Sequence, residues 1–169
     1  MPTQFTKSDT PALLLGVMAL LALAGAYMGE FVLGLKPCVL CLYERYIYWG
    51  VFGLAMIAFV LPQRQIHLGI LTLITLAALG QLGLSVYHVA VEQGVVAPPS
   101  MCLASEIKVG SLSLDDLRGE ILATERVACN KVPWSLFGIS LAGFNALYAL
   151  TMTTLGTWFL FARRRNRND

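Results

Sequence analysis

The stretch PALLLGVMALLALAGAYMGEFVLGL, Pro11 to Leu35, carries a single charged side chain, Glu30. Crossing the hydrocarbon core of a bilayer takes about 20 mostly apolar residues in a helix, so this run is long enough to span. Three further apolar stretches follow, at about 46–61, 68–91 and 134–161. The second stops at Pro62 and the last runs into Arg163, Arg164 and Arg165. Of the 169 residues 57% are hydrophobic and only 13% charged, against about 25% charged in ordinary soluble domains. The expected fold is all-α: a single integral-membrane four-helix bundle over 1–169, without a separate soluble domain. The net charge is only +2, and no nucleic-acid partner is expected; the lipid bilayer is.

The basic residues orient the bundle. Lys7, Arg64 and the cluster Arg163, Arg164, Arg165 and Arg167 fall in the short flanks of one face, which the positive-inside rule makes cytoplasmic. Both termini are then inside, and the loops at about 36–45 and 92–133 are outside. Lys7, an apolar run and Ala22-Leu23-Ala24 imitate a cleavable secretory signal, but the run continues past Ala24 and favours an uncleaved span. Gly25 and Gly29 form a G-x-x-x-G that would admit a close helix neighbour. In the long outer loop Pro98-Pro99 bars a helix. Ser113-Leu114-Asp115-Asp116 resembles a capping box, and Leu114, Leu117 and Ile121 then suit a short amphipathic helix, on the membrane surface or on the bundle.

All four cysteines lie in the two outer loops: Cys38 and Cys41 as a C-x-x-C before the second span, Cys102 and Cys129 near the ends of the long loop. Paired thiols on an oxidising face point to disulfide chemistry. A helix beginning near Cys41 would aim its first amides at the sulfur and favour thiolate over thiol. Arg45, one turn beyond Cys41, could stabilise the same charge. Two adjacent pairs make an exchange relay possible, and nothing in the chain resembles a flavin, haem or dinucleotide site, so a membrane quinone suits the position as acceptor. Two bland readings compete: a zinc site of four thiolates, disfavoured because the second pair is not C-x-x-C, and purely structural disulfides stapling a non-catalytic four-span protein. A thiol relay across the membrane is excluded, because no cysteine lies in a span or on the inner face. No metal is expected.

Pro37-Cys38-Val39-Leu40-Cys41-Leu42-Tyr43-Glu44-Arg45 resembles the signature of the disulfide bond formation protein B (DsbB) family, bacterial inner-membrane thiol:quinone oxidoreductases. Cys129-Asn130-Lys131-Val132-Pro133-Trp134-Ser135-Leu136-Phe137-Gly138-Ile139-Ser140 resembles that family's motif at the start of its last helix. The resemblance implies that Cys102 forms a mixed disulfide with a periplasmic DsbA-like thioredoxin-fold oxidase and that Cys129 resolves it. Cys38 and Cys41 are then the quinone-coupled pair, with Cys41 the sulfur that meets ubiquinone (or menaquinone) and Arg45 beside the ring. The linkages it implies are Cys38–Cys41 and Cys102–Cys129. His88 resembles a family histidine near the quinone; the plainer reading is a solvated interface histidine. Gly29-Glu30-Phe31 departs from the aromatic and Gln-rich stretch expected there. Gln81, Ser85 and Asn145 suit interhelical hydrogen bonds, and Tyr43, Tyr46, Tyr48, Trp49 and Trp134 suit interface anchors.

Overall fold

A computed structural model describes residues 10–61, 64–99, 102 and 127–168. Among the described residues four helices carry the fold: α1 (Thr10–Phe31), α2 (Val39–Val60), α3 (Arg64–Glu92) and α4 (Leu141–Asn168). A two-stranded ribbon, β1 (Ser135–Leu136) and β2 (Ile139–Ser140), precedes α4. The expected surface helix after Ser113 lies outside the described residues.

Packing follows side-chain size. Leu15, Ala19 and Leu23 of α1 meet Val51, Ala55 and Ala58 of α2, while Leu71, Ile74 and Ala78 of α3 and Met152 of α4 complete the buried core. α3 lies most extensively along α4, and α1 along α2. Between apolar helices in lipid, association rests on close packing rather than on water exclusion, so small residues mark the tightest crossings. Those crossings are at Gly16, where an added methyl would overlap Ala55 Cβ, and at Gly156, which sits against Thr75. They are not at Gly25 and Gly29: a methyl added at Gly25 would have nothing within 4 Å, and one at Gly29 would meet only Leu35.

The outside of the bundle is as greasy as the inside. Leu21, Phe31, Leu73, Leu76, Leu147 and Trp158 are all exposed, a surface that water would penalise and lipid would not. Two of the helices, α1 and the 66–92 stretch of α3, are long and apolar enough to cross a membrane.

Two helix starts differ from the reading of the sequence. α2 begins at Val39 rather than near Cys41, ahead of the apolar stretch at about 46–61, because Cys38 acts as its N-cap: Cys38 Sγ accepts from the Cys41 amide at 3.2 Å. α4 begins at Leu141 rather than Trp134. Phe137 (φ 53°) and Gly138 (φ 80°) both adopt the left-handed region, as a tight two-residue hairpin requires, and this folds Trp134–Ser140 into the ribbon. Ser140 then caps α4, its Oγ accepting from the Gly143 amide at 3.1 Å while donating to Glu92 of α3.

Polar side chains inside the bundle bridge helices. Tyr48 donates to Asn145 Oδ1 at 2.6 Å, and Asn145 Nδ2 donates to Ser85 Oγ at 2.9 Å. Tyr48 is thus buried in the core and not an interface anchor, whereas Tyr43, Tyr46 and Trp49 face outward. Gln81 is equally buried, yet its amide finds no hydrogen-bond partner among the described residues.

The Gly16 crossing is directly testable. Gly16→Val should destabilise the bundle by about 1–3 kcal/mol through overpacking, whereas Gly25→Ala should leave stability unchanged. Unfolding of both variants in detergent micelles, followed by loss of helical circular dichroism, compares them; equal stability would refute the assignment.

Candidate active site

One end of the bundle gathers the start of α2, the end of α3 and the segment that precedes α4. Cys38, Cys102 and Cys129 are buried there in one cluster with Leu40 and Val91, and Cys41 packs against it. Both cysteine pairs therefore share one end, although 64 residues separate Cys38 from Cys102 in the chain (102 − 38). The two pairs differ in state. Cys102 and Cys129 are joined as a disulfide, as the resemblance implies. Cys38 and Cys41 are unbonded, with their sulfurs 2.8 Å apart. The implied Cys38–Cys41 linkage joins the same two sulfurs that the fold sets against one another here.

The helix start decides which sulfur the backbone favours. Because α2 begins at Val39, its first-turn amide faces Cys38 and not Cys41. Partial positive charge at a helix N-terminus stabilises an anion placed there. The Cys41 side chain hydrogen-bonds the same sulfur, and this contact holds the Cys38 thiol below its ordinary range despite burial.

Behind Cys38 stands a pair of buried polar side chains. His88 Nε2 lies 3.4 Å from Cys38 Sγ, and His88 Nδ1 lies 3.3 Å from Glu44 Oε1. Both are almost completely enclosed, at 2% and 6% exposure. A carboxylate and an imidazole removed from water require one another, since either alone would be left with an uncompensated buried charge or dipole. With Nδ1–H donating to Glu44, Nε2 is free to take the Cys38 proton. His88 is thus buried rather than solvated.

Arg45 does not touch a sulfur. Its guanidinium is ion-paired with Glu30 and donates to the Ala26 carbonyl at 3.2 Å, and it lies 4.9 Å above the Tyr27 ring centroid. It does share a cavity with Cys41 and His88. This cavity, about 420 Å³, runs inward to Tyr48, Asn145 and Tyr148, within the span of about 300–1,000 Å³ usual for small-molecule sites. Gly25 and Gly29 form part of its wall, so the absent side chains leave room for a ligand rather than for a helix. Its mouth is polar, with Glu30, Lys36, Glu44 and Arg45, and its body is apolar.

Two acids went unassigned in the sequence: Glu44 and Glu30. The signal was present in each case, because an ionisable residue in an otherwise apolar helix is costly and retained for a partner. What sequence spacing could not supply was the partner's identity.

The Cys38–Cys41 contact makes a measurable claim. In reduced protein the thiolate absorbance of Cys38 should titrate below the ordinary value of 9.0. Cys41→Ala removes the donor that favours the thiolate, so its midpoint should move up in pH. An unchanged midpoint would show that Cys41 contributes nothing to the acidity of Cys38.

Comparison with known proteins identifies the family. The family model described as disulfide bond formation protein DsbB matches residues 8–159. A disulfide bond formation protein B of Aromatoleum aromaticum is 28% identical over 93% of this chain and 95% of its own length. A disulfide bond formation protein B 1 of Pseudomonas entomophila is 30% identical over 91% of this chain and 90% of its own. An uncharacterised protein of Rickettsia prowazekii is 30% identical over 92% and 89%. No solved structure matches the chain. A helical bundle with an apolar exterior, redox-capable cysteine pairs at one end and a match along nearly its whole length is a membrane protein of disulfide bond formation, and the chain belongs to the DsbB family.

Proposed function

We propose that this protein is a thiol:quinone oxidoreductase that reoxidises a periplasmic, DsbA-like thioredoxin-fold oxidase and delivers the electrons to a membrane quinone. The observation that carries the proposal is the junction of a touching dithiol, Cys38 and Cys41, with a buried disulfide, Cys102–Cys129, at the polar mouth of an apolar cavity. A structural staple has no use for a sulfur pair backed by His88 and Glu44.

In this reading Cys102 takes the attack of the partner's thiolate, which breaks the Cys102–Cys129 bond and frees Cys129. Cys129 then attacks Cys38 of an oxidised Cys38–Cys41 pair, joining Cys129 to Cys38 and freeing Cys41. The partner's second thiolate attacks its own sulfur in the mixed disulfide, which leaves the partner oxidised and frees Cys102. Attack of Cys102 on Cys129 then breaks the Cys129–Cys38 bond, restores Cys102–Cys129 and leaves Cys38 and Cys41 as the dithiol. Each exchange moves two electrons between sulfurs and conserves the number of disulfides. The shared burial of Cys38, Cys102 and Cys129 supports the middle step.

The cavity fits a quinone headgroup in size and polarity, with Cys41, Arg45 and His88 at the polar end to hold it. A bound quinone, ubiquinone or menaquinone, supplies a two-electron, two-proton acceptor. His88 is placed to accept the Cys38 proton and Glu44 to steady the imidazolium. Arg45 offers a fixed cation at the mouth, at present shared with Glu30. The same reading puts the cysteine end on the periplasmic side of a bacterial inner membrane, with both termini cytoplasmic, in agreement with the basic residues at the opposite flanks.

The test is reconstitution with a reduced thioredoxin-fold substrate and ubiquinone, following the loss of quinone ultraviolet absorbance. Wild-type protein should turn over and Cys41→Ser should fall to background while remaining folded. Arg45→Ala should lose about 100-fold, as expected for removal of one preorganised electrostatic donor. Equal turnover by Cys41→Ser and wild type would discard the proposal in favour of structural disulfides in a non-catalytic four-span protein.

A further inference from the structure

Cys38, Cys41 and His88 offer three ligand atoms that all lie within 4.8 Å of one another. We propose that the reduced pair, together with His88, is a binding site for a thiophilic divalent ion of the zinc type, and that occupancy excludes the disulfide. This goes beyond the quinone reading and does not depend on it, since it requires only the dithiol and the histidine.

The donor set, two thiols and an imidazole, is that of a three-ligand zinc centre with one open corner. Zinc takes thiolate sulfur at about 2.3 Å and imidazole nitrogen at about 2.0 Å in a tetrahedron, which sets sulfur and nitrogen about 3.6 Å apart. Cys38 Sγ and His88 Nε2 are 3.4 Å apart. Two thiolates on one zinc need about 3.8 Å between them by the same construction, so the 2.8 Å sulfur contact must open by roughly 1 Å. Cys41 sits in the first turn of α2 and borders the large cavity, so rotation of its side chain can supply that opening.

Two further features suit a metal. Histidine ligands generally donate their second ring nitrogen to a carboxylate, which fixes the tautomer and raises the basicity of the ligating nitrogen. Glu44 stands in that position at His88 Nδ1. A small cavity of about 20 Å³ adjoins Cys38, Cys41 and His88, enough for about one water to serve as the fourth ligand. Glu92 borders the same space, together with Lys36 and Lys131, so the two thiolates rather than the surrounding charge must supply the attraction for a cation. A four-thiolate site is closed while Cys102 and Cys129 are bonded to each other, and after reduction the double variant lacking both separates the two sites.

The balance is simple. Binding displaces the two thiol protons and moves no electrons. Both sulfurs must be thiolates to ligate, so the ion and the Cys38–Cys41 disulfide are mutually exclusive. Metal would hold the protein in its reduced form until chelated.

Cobalt(II), added to full-length protein in detergent after reduction with a phosphine, gives a direct readout. One equivalent should produce the intense visible bands and thiolate charge-transfer absorption of tetrahedral cobalt, and zinc should bleach them. The Cys102→Ser/Cys129→Ser double variant should behave like wild type, and protein with the Cys38–Cys41 bond formed should show nothing. Glu44→Gln should weaken binding about 10–100-fold, as loss of an outer-shell partner does, and His88→Ala by more. Without any variant, one equivalent of zinc should protect Cys38 and Cys41 from maleimide in reduced wild-type protein, and a chelator should restore labelling. Absence of the tetrahedral spectrum, its loss in the double variant, its survival unchanged in His88→Ala, or undiminished maleimide labelling would each overturn the proposal. None of these readouts involves quinone or partner, so a failed turnover assay and a failed metal site are separate results.

Discussion

The contact between His88 and Glu44 ties this structure together. Each is a polar group enclosed in an apolar bundle, where an unpaired charge or dipole is costly. Pairing them draws the second turn of α2 against the last turns of α3, with Glu44 Oε1 and His88 Nδ1 3.3 Å apart. Cys38, as the cap of α2, is thereby brought to the other ring nitrogen of the same histidine. The placement of the reactive sulfur is thus a consequence of satisfying a buried carboxylate.

That junction also shapes the cavity. With α2 held to α3 at this end, the face of α1 that carries Ala22, Gly25, Ala26 and Gly29 has no bulky side chain to fill the space toward α4. Farther along the bundle the same helices close up, at Gly16 against Ala55 and at Gly156 against Thr75. Small residues therefore play opposite parts on one helix: at Gly16 they admit a neighbour, and at Gly25 and Gly29 they leave a void. The polar contacts sort in the same way. Arg45, Glu30 and Lys36 surround the mouth, and Tyr48, Asn145 and Tyr148 lie at the inner end, so a ligand would meet charge first and neutral hydrogen-bonding groups last.

The capping pattern bears on sulfur chemistry. An amide at a helix start stabilises whichever anion it faces, and here a shift of the helix start by a few residues changes that anion from Cys41 to Cys38. Cys41, released from this role, borders the cavity and leans on Cys38. The two sulfurs are therefore differentiated by backbone geometry, one directed at the helix and histidine, the other at the space where an acceptor would sit. The Ser140 cap of α4 and its bond to Glu92 place the segment that carries Cys129 over the same end.

Residue order sufficed for the class of molecule, the number of helices, the Cys102–Cys129 bond expected from the family resemblance, and the gathering of both cysteine pairs at one end. Those follow from hydrophobic run length and from loop placement, which are one-dimensional properties. It also suggested Ser85 and Asn145 as interhelical bridges, because a polar side chain in an apolar helix must turn inward. It misjudged the starts of α2 and α4, the solvated alternative for His88, the place of Tyr48 and the use of Gly25 and Gly29, and it assigned no part to Glu44. Each of these depends on a partner 15 to 97 residues away or on a local turn such as Phe137–Gly138. Periodicity tells which face of a helix a residue occupies, but the depth and rotation at which two helices meet are set by mutual packing, and only that meeting decides which carboxylate a histidine finds.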